Sequence, residues 1–129
     1  MKQQEIKQLL ESANSTGKVR TLNFENVKDF VKKAEKARKM MQKYNLQDNI
    51  EGRVDGGGVC NSYNYKAETS AIIFDGNQFT GVRTYAKKAA YGRDASNYVR
   101  VSLHNISKEI KNCLKKDFKL ERVGKYLYL

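Results

Sequence analysis

Apolar residues recur every three or four positions in the first third of the chain, and this spacing predicts two amphipathic helices. The first helix is predicted over residues 2–13 and the second over residues 26–44, with Asn23 or Asn26 as its N-cap. The apolar face of the first comprises Ile6, Leu9, Leu10 and Ala13. The apolar face of the second comprises Val27, Phe30, Val31, Ala34, Ala37, Met41 and Tyr44.

Farther along the chain the spacing becomes typical of β-strands. Residues 69–74 and 79–85 flank the polar segment 75–78, which predicts a hairpin. Residues 97–103 alternate, with Val99, Val101 and Leu103 on one side of a predicted strand. A helix over residues 106–118 and a last strand over residues 125–129 are predicted to follow.

Two polar segments separate these elements: 55–58 predicts a flexible turn, and 87–96 predicts a loop or short helical turn. The order of elements predicts an α+β fold with a single domain over residues 1–129. In this fold, N-terminal helices precede a mostly antiparallel sheet of about four strands, with one further helix before the last strand.

Charge adds a functional constraint. The chain of 129 residues has 25 basic and 14 acidic side chains and a formal net charge of +11. Such an excess opposes folding through self-repulsion, and it indicates a polyanionic partner, with nucleic acid or a nucleoprotein complex as the leading expectation. The chain contains neither an apolar run of about 18 residues nor a signal-peptide pattern. We therefore expect a cytoplasmic protein that has no membrane partner, while the oligomeric state stays undetermined.

The basic residues gather in particular segments. Residues 26–44 carry seven basic and two acidic side chains, whereas residues 45–82 carry two basic and five acidic ones. On the second predicted helix, five lysines fall within one arc opposite the apolar stripe and span about 22 Å of axis. This lysine row, which predicts contact with a phosphate backbone or simply a solvated helix face, comprises Lys28, Lys32, Lys36, Lys39 and Lys43. A shorter row on the last helix comprises Lys108, Lys111 and Lys115.

A second basic stretch interleaves cationic and aromatic residues. Arginine can bind phosphates through its planar fork, and tyrosine can stack on exposed bases, so this stretch predicts more specific contacts than bulk charge. The alternative is that its tyrosines pack across strands and its lysines only solubilise a loop. The candidates are Arg83, Tyr85, Lys87, Lys88, Tyr91, Arg93, Tyr98 and Arg100.

His104 is the only histidine and follows the best-patterned strand. It is a candidate for nucleic-acid contact, or for general acid–base catalysis in a small metal-independent ribonuclease. The alternative is a purely structural histidine that caps a helix or lies at a sheet edge. Two cysteines and one histidine cannot complete a zinc site of ordinary type, so we expect no metal, no cofactor and no assigned catalytic residue.

The positions of Tyr98, Arg100, Ser102 and His104 resemble a Tyr-x-Arg-x-Ser-x-His strand found in phage and mobile-element proteins. These proteins include small basic anti-CRISPR inhibitors and polyvalent accessory domains. The resemblance implies a phage-encoded inhibitor of a bacterial defence nuclease acting in the host cytoplasm, with Arg100 and His104 as candidate contact residues. Two other classes stay open, namely a small ribonuclease that uses His104 and a basic module that binds an acidic protein partner.

Overall fold

The computed structural model describes residues 1–15, 22–56, 59–61, 66–86, 97–118 and 121–129. It confirms an α+β fold in which three helices accompany one antiparallel sheet. The helices are α1 (Gln3–Ala13), α2 (Phe24–Gln42) and α3 (Lys108–Phe118), and a short 3-10 helix covers Gln47–Asn49. The strands are β1 (Ile50–Asp55), β2 (Val59–Asn61), β3 (Lys66–Phe74), β4 (Phe79–Ala86), β5 (Tyr98–Ser102), β6 (Glu121–Val123) and β7 (Tyr126–Tyr128).

The ends of α2 follow from its sequence. The side chain of Asn23 accepts a hydrogen bond from the backbone N–H of Glu25 at 2.8 Å, which satisfies one of the free donors of the first turn. At the other end, Asn45 has a φ of 56°, a left-handed conformation that asparagine tolerates better than most residues. This conformation stops the helix, so the predicted element is confirmed with its boundaries moved by about two residues.

From one edge to the other the sheet runs β4-β3-β1-β5-β7-β6, and the short β2 pairs with the same edge of β3 as β1 does. β1 and β2 both pair with β3, with Asp55 opposite Ala71 and Val59 opposite Glu68. Three residues separate Asp55 from Val59, but only two separate Glu68 from Ala71, so the register shifts by one residue between β1 and β2. Of the segment 55–58 that the sequence predicts as a flexible turn, residues 57 and 58 lie outside the described residues.

The core lies between the sheet and the helices. α2 packs on β1 and β5, while α1 packs on β3 and β4 and also contacts α2. Leu114 of α3 belongs to the same buried cluster. The main strand residues of this cluster are Ile50, Val54, Ile72, Phe74, Val99, Val101 and Leu127.

Several expectations about the sheet were wrong. The described residues form seven strand segments rather than about four, and α3 precedes a two-strand hairpin rather than a single strand. No predicted strand corresponds to β1, β2 or β6. α3 begins at Lys108 rather than at residue 106.

The hairpin between β3 and β4 is confirmed, with Phe74 paired to Phe79. Its turn contains Gly76 at a φ of 95°, against the backbone of Gln47. Asp75 accepts hydrogen bonds from the backbone N–H groups of Asn77 and Gln78, both at 2.9 Å. Among the helices described, none is both long and apolar enough to cross a membrane.

Candidate nucleic-acid interface

The lysine row lies on the outer surface of α2, with its last member, Lys43, at the C-cap directly after the helix. All five of its lysines are exposed, whereas the opposite side of the helix is buried against the sheet and α1. Within the described part of the chain, none of the five makes an ion pair shorter than 4.0 Å. Lys33 and Arg38 are exposed beside the row and add two further cations to the same helix.

Few carboxylates oppose this charge on α2. Glu35 lies near the row, but its Oε1 is 2.7 Å from the amino group of Met1. Asp29 and Glu25 are exposed toward the N-terminal end of the helix, where the helix dipole favours negative charge. Lys28, Lys32 and Lys36 follow one another at intervals of four residues, so adjacent ammonium groups repel each other. Within the described residues no ion pair relieves this repulsion among the lysines of the row.

A second arrangement occupies the other face of the sheet. Val99 and Val101 of β5 are buried in the core, so Tyr98 and Arg100 point to the opposite side. Arg100 is paired with Tyr128 of β7 in the antiparallel register, and Tyr126 lies two residues away on the same face. We call Tyr98, Arg100, Tyr126 and Tyr128 the Arg100–tyrosine cluster.

Arg100 holds this cluster together. Its guanidinium carbon lies 3.9 Å from the ring centroid of Tyr126, 4.8 Å from that of Tyr98 and 5.9 Å from that of Tyr128. Its Nε donates to Oε1 of Glu51 at 2.6 Å, and its Nη1 donates to the hydroxyl oxygen of Tyr128 at 3.0 Å. Burial alone would lower the pKa of Arg100, but these hydrogen bonds to Tyr128 and Glu51 raise it above its ordinary value. The guanidinium is therefore held in place and charged, and Glu51 and Tyr128 occupy part of its hydrogen-bonding capacity.

The two surfaces lie on opposite sides of the protein. α2 covers the face of β5 that carries Val99 and Val101, and the lysine row faces away from that contact. The Arg100–tyrosine cluster lies on the face of β5 that points away from α2. A single straight groove cannot contact both surfaces, so each must be considered as a separate site.

The structure describes only part of the remaining basic and aromatic stretch. Arg83 and Tyr85 lie in β4, where they pair with Ser70 and Glu68 in the register with β3. Lys87, Lys88, Tyr91 and Arg93 lie outside the described residues. Their proposed contacts with nucleic acid stay predictions.

His104 lies two residues beyond the end of β5 and is exposed. Its backbone N–H donates to the Ser102 hydroxyl at 3.3 Å, and its carbonyl accepts from the Asn49 side chain at 3.3 Å. Asp48 and Tyr126 line the same shallow groove. The described residues hold no group of three His, Cys, Asp or Glu side chains suited to a metal ion. A catalytic role for His104 stays a prediction.

Sequence reasoning missed the aromatic partners of Arg100. The sequence pattern predicts Tyr126 and Tyr128 only as part of a last strand, although they alternate with the buried Leu127. That alternation indicates two tyrosines on one exposed face, but only the pairing of β7 with β5 shows that this face adjoins Arg100.

Comparison of the chain with protein-family models, with curated protein sequences and with solved structures gives no match. We therefore infer function from the two surfaces themselves.

Proposed function

We propose that this protein is a non-catalytic binder of nucleic acid or of a nucleoprotein complex, and that it contacts the phosphate backbone through the lysine row. The observation that carries the proposal is the set of five exposed lysines on the outer surface of α2, none of them in an ion pair within the described residues. Lysines that are already neutralised by neighbouring carboxylates would have less to gain from phosphate.

The geometry of the row supports a phosphate backbone as the ligand. The five lysines span about 22 Å along the helix. A backbone strand places many phosphates within that distance, and each contact releases condensed counterions into solution. This gain does not depend on base sequence, so the proposed contact is strong at low salt and weak at high salt.

The resemblance of residues 97–104 to phage anti-defence proteins extends the proposal to a particular target. On this reading, the nucleic acid is part of a bacterial defence nuclease, and the protein acts as a phage-encoded inhibitor. A nuclease complex offers both exposed phosphates and acidic protein surface, and either could meet the lysine row.

The test compares two triple variants of equal net charge. In the first, Lys32, Lys36 and Lys39 of the lysine row are changed to Gln. In the second, the exposed Lys2, Lys7 and Lys116 are changed to Gln. Affinity for labelled duplex DNA and for structured RNA is measured by fluorescence anisotropy at low salt.

The proposal predicts that the first variant loses about tenfold or more in affinity, while the second stays much closer to the wild-type protein. Equal losses in both variants would mean that only total charge matters. If the wild-type protein bound neither nucleic acid, the hypothesis of an acidic protein partner would replace the proposal.

A further inference from the structure

We propose that the Arg100–tyrosine cluster is a stacking surface for the unpaired bases of a single-stranded nucleic acid. This inference rests on the proposed function because it takes nucleic acid as the ligand, and it names a single strand as the form bound by this face of the sheet. The contacts would be made by Tyr98, Tyr126 and Tyr128, and they do not involve the lysine row of α2.

The rings lie on neighbouring strands of one sheet face. Tyr126 and Tyr128 have centroids 6.4 Å apart at 63°, and Arg100 lies between these two rings and Tyr98. All three tyrosines are neither buried nor fully exposed, so their rings are held in place while part of each ring faces solvent. Aromatic rings held on a sheet are what single-strand binding proteins use to stack bases.

The local charge favours bases over phosphates at this face. Arg100 is paired with Glu51, whose side chain is 45% exposed, and Arg53 is paired with Asp55 on the same strand face. The centre of the face is therefore close to neutral, unlike α2. A planar guanidinium stacked on a tyrosine nevertheless adds a flat cationic surface that attracts the π-face of a base.

Lys125 is exposed in the turn directly before Tyr126, where it can contact the backbone of such a strand. Arg122 of β6 pairs with the buried Leu127 and therefore lies on the other face of the sheet. Since a stacked base keeps its phosphate several ångströms away, a cation beside the cluster suits a strand whose bases occupy the centre. Paired bases in a duplex do not present their faces, so the cluster selects single strands.

The experiment uses ring removal with a ring-preserving control. The double change Tyr98→Leu and Tyr126→Leu removes two rings, while Tyr98→Phe and Tyr126→Phe keeps both. Binding is measured with oligothymidylate and oligouridylate of about 12 nucleotides, a length typical of such sites, and with a duplex of similar length. Circular dichroism checks that each variant is folded.

The inference predicts that the double Leu variant binds both single strands at least about fivefold more weakly and leaves duplex binding unchanged. The double Phe variant should keep wild-type affinity for all probes. Equal single-strand affinity of the Leu and Phe variants would overturn the inference. The proposed function would then still stand if the lysine-row variant lost affinity, and it would fail if the wild-type protein bound no nucleic acid.

Photocrosslinking covers the case in which the Leu variant does not fold. The wild-type protein is irradiated with an oligonucleotide that contains 5-iodouracil and is then digested with trypsin. Adducts on the peptide that contains Tyr98, or on residues 126–129, support the inference. Adducts confined to α2, or no adduct on either peptide, overturn it.

Discussion

The guanidinium carbon of Arg100 lies 3.9 Å from the ring centroid of Tyr126, and its Nε donates to Glu51 at 2.6 Å. Through these contacts one side chain on β5 joins β1 on one side and β7 on the other. An arginine that the sequence suggested as a ligand for phosphate is thus also a structural link across three strands. Changes to it must be interpreted with stability measured alongside binding.

Arg100→Lys tests that link. Lysine keeps the charge but loses the planar stack on Tyr126 and the fork that reaches Glu51 and Tyr128 together. The side chains of Arg100 and Glu51 are 24% and 45% exposed, so solvent screens their ion pair. We therefore expect a loss of only about 1 kcal/mol in the free energy of unfolding. Chemical denaturation measures the change. Arg122→Lys in the exposed hairpin is the control and should stay within about 0.5 kcal/mol of the wild-type protein.

Gly52→Ala tests the packing of α2 on β1. A Cβ at residue 52 would lie 2.9 Å from Cε2 of Phe30 and 3.2 Å from the carbonyl oxygen of Tyr98. We expect overpacking to lower the free energy of unfolding by about 1–3 kcal/mol. In a Phe30→Leu background the ring is absent, so the same change should be less destabilising. Additive effects of the two substitutions would contradict this account.

Gly76→Ala tests the turn between β3 and β4. The residue has a φ of 95°, and a Cβ there would lie 2.0 Å from the backbone oxygen of Gln47. We expect a loss of about 3 kcal/mol or more in thermal or chemical unfolding. Gly124→Ala is the matched control, since Gly124 also has a positive φ of 60° but nothing lies within 4 Å of the added atom. It should lose only about 1 kcal/mol, and equal losses would show that crowding is unimportant.

Asp75 gives the same turn a pH dependence. Hydrogen bonds from the backbone N–H groups of Gln78 and Asn77 lower the pKa of this carboxyl below its ordinary value. A carboxyl whose pKa is lower in the folded state stabilises the fold above its unfolded pKa, and the stabilisation is lost as pH falls through the folded pKa. Between about pH 6 and pH 3, Asp75→Asn should therefore lose less stability than the wild-type protein. Parallel stability curves for the two proteins would rule this out.

The helices could be predicted from the sequence because their signals are local. Positions such as Val27, Phe30 and Ala34 recur at helical spacing, and Asn23 lies where an N-cap is expected. β1 was missed because its buried positions include Gly52, and polar residues alternate with Ile50 and Val54. A strand with a glycine on its buried face shows little apolar alternation, although the fold needs that glycine to admit Phe30.

The arrangement of the candidate sites could not be predicted, since strand pairing joins residues far apart in the sequence. The lysine row followed from helix geometry alone, and the structure places it on the outside of α2. The cluster around Arg100 required the pairing of β5 with β7, which brings Tyr128 opposite Arg100. Only the sheet order shows that these two surfaces face away from each other.

The most direct test of the central claim is the salt dependence of duplex binding. The logarithm of the association constant is plotted against the logarithm of salt concentration for the wild-type protein and for the two triple Lys→Gln variants. We predict that neutralising Lys32, Lys36 and Lys39 makes the slope shallower by about 2–3, one contact for each lysine, while neutralising Lys2, Lys7 and Lys116 leaves the slope near that of the wild-type protein. Identical slopes for the two variants would contradict the claim that the lysine row contacts the phosphate backbone.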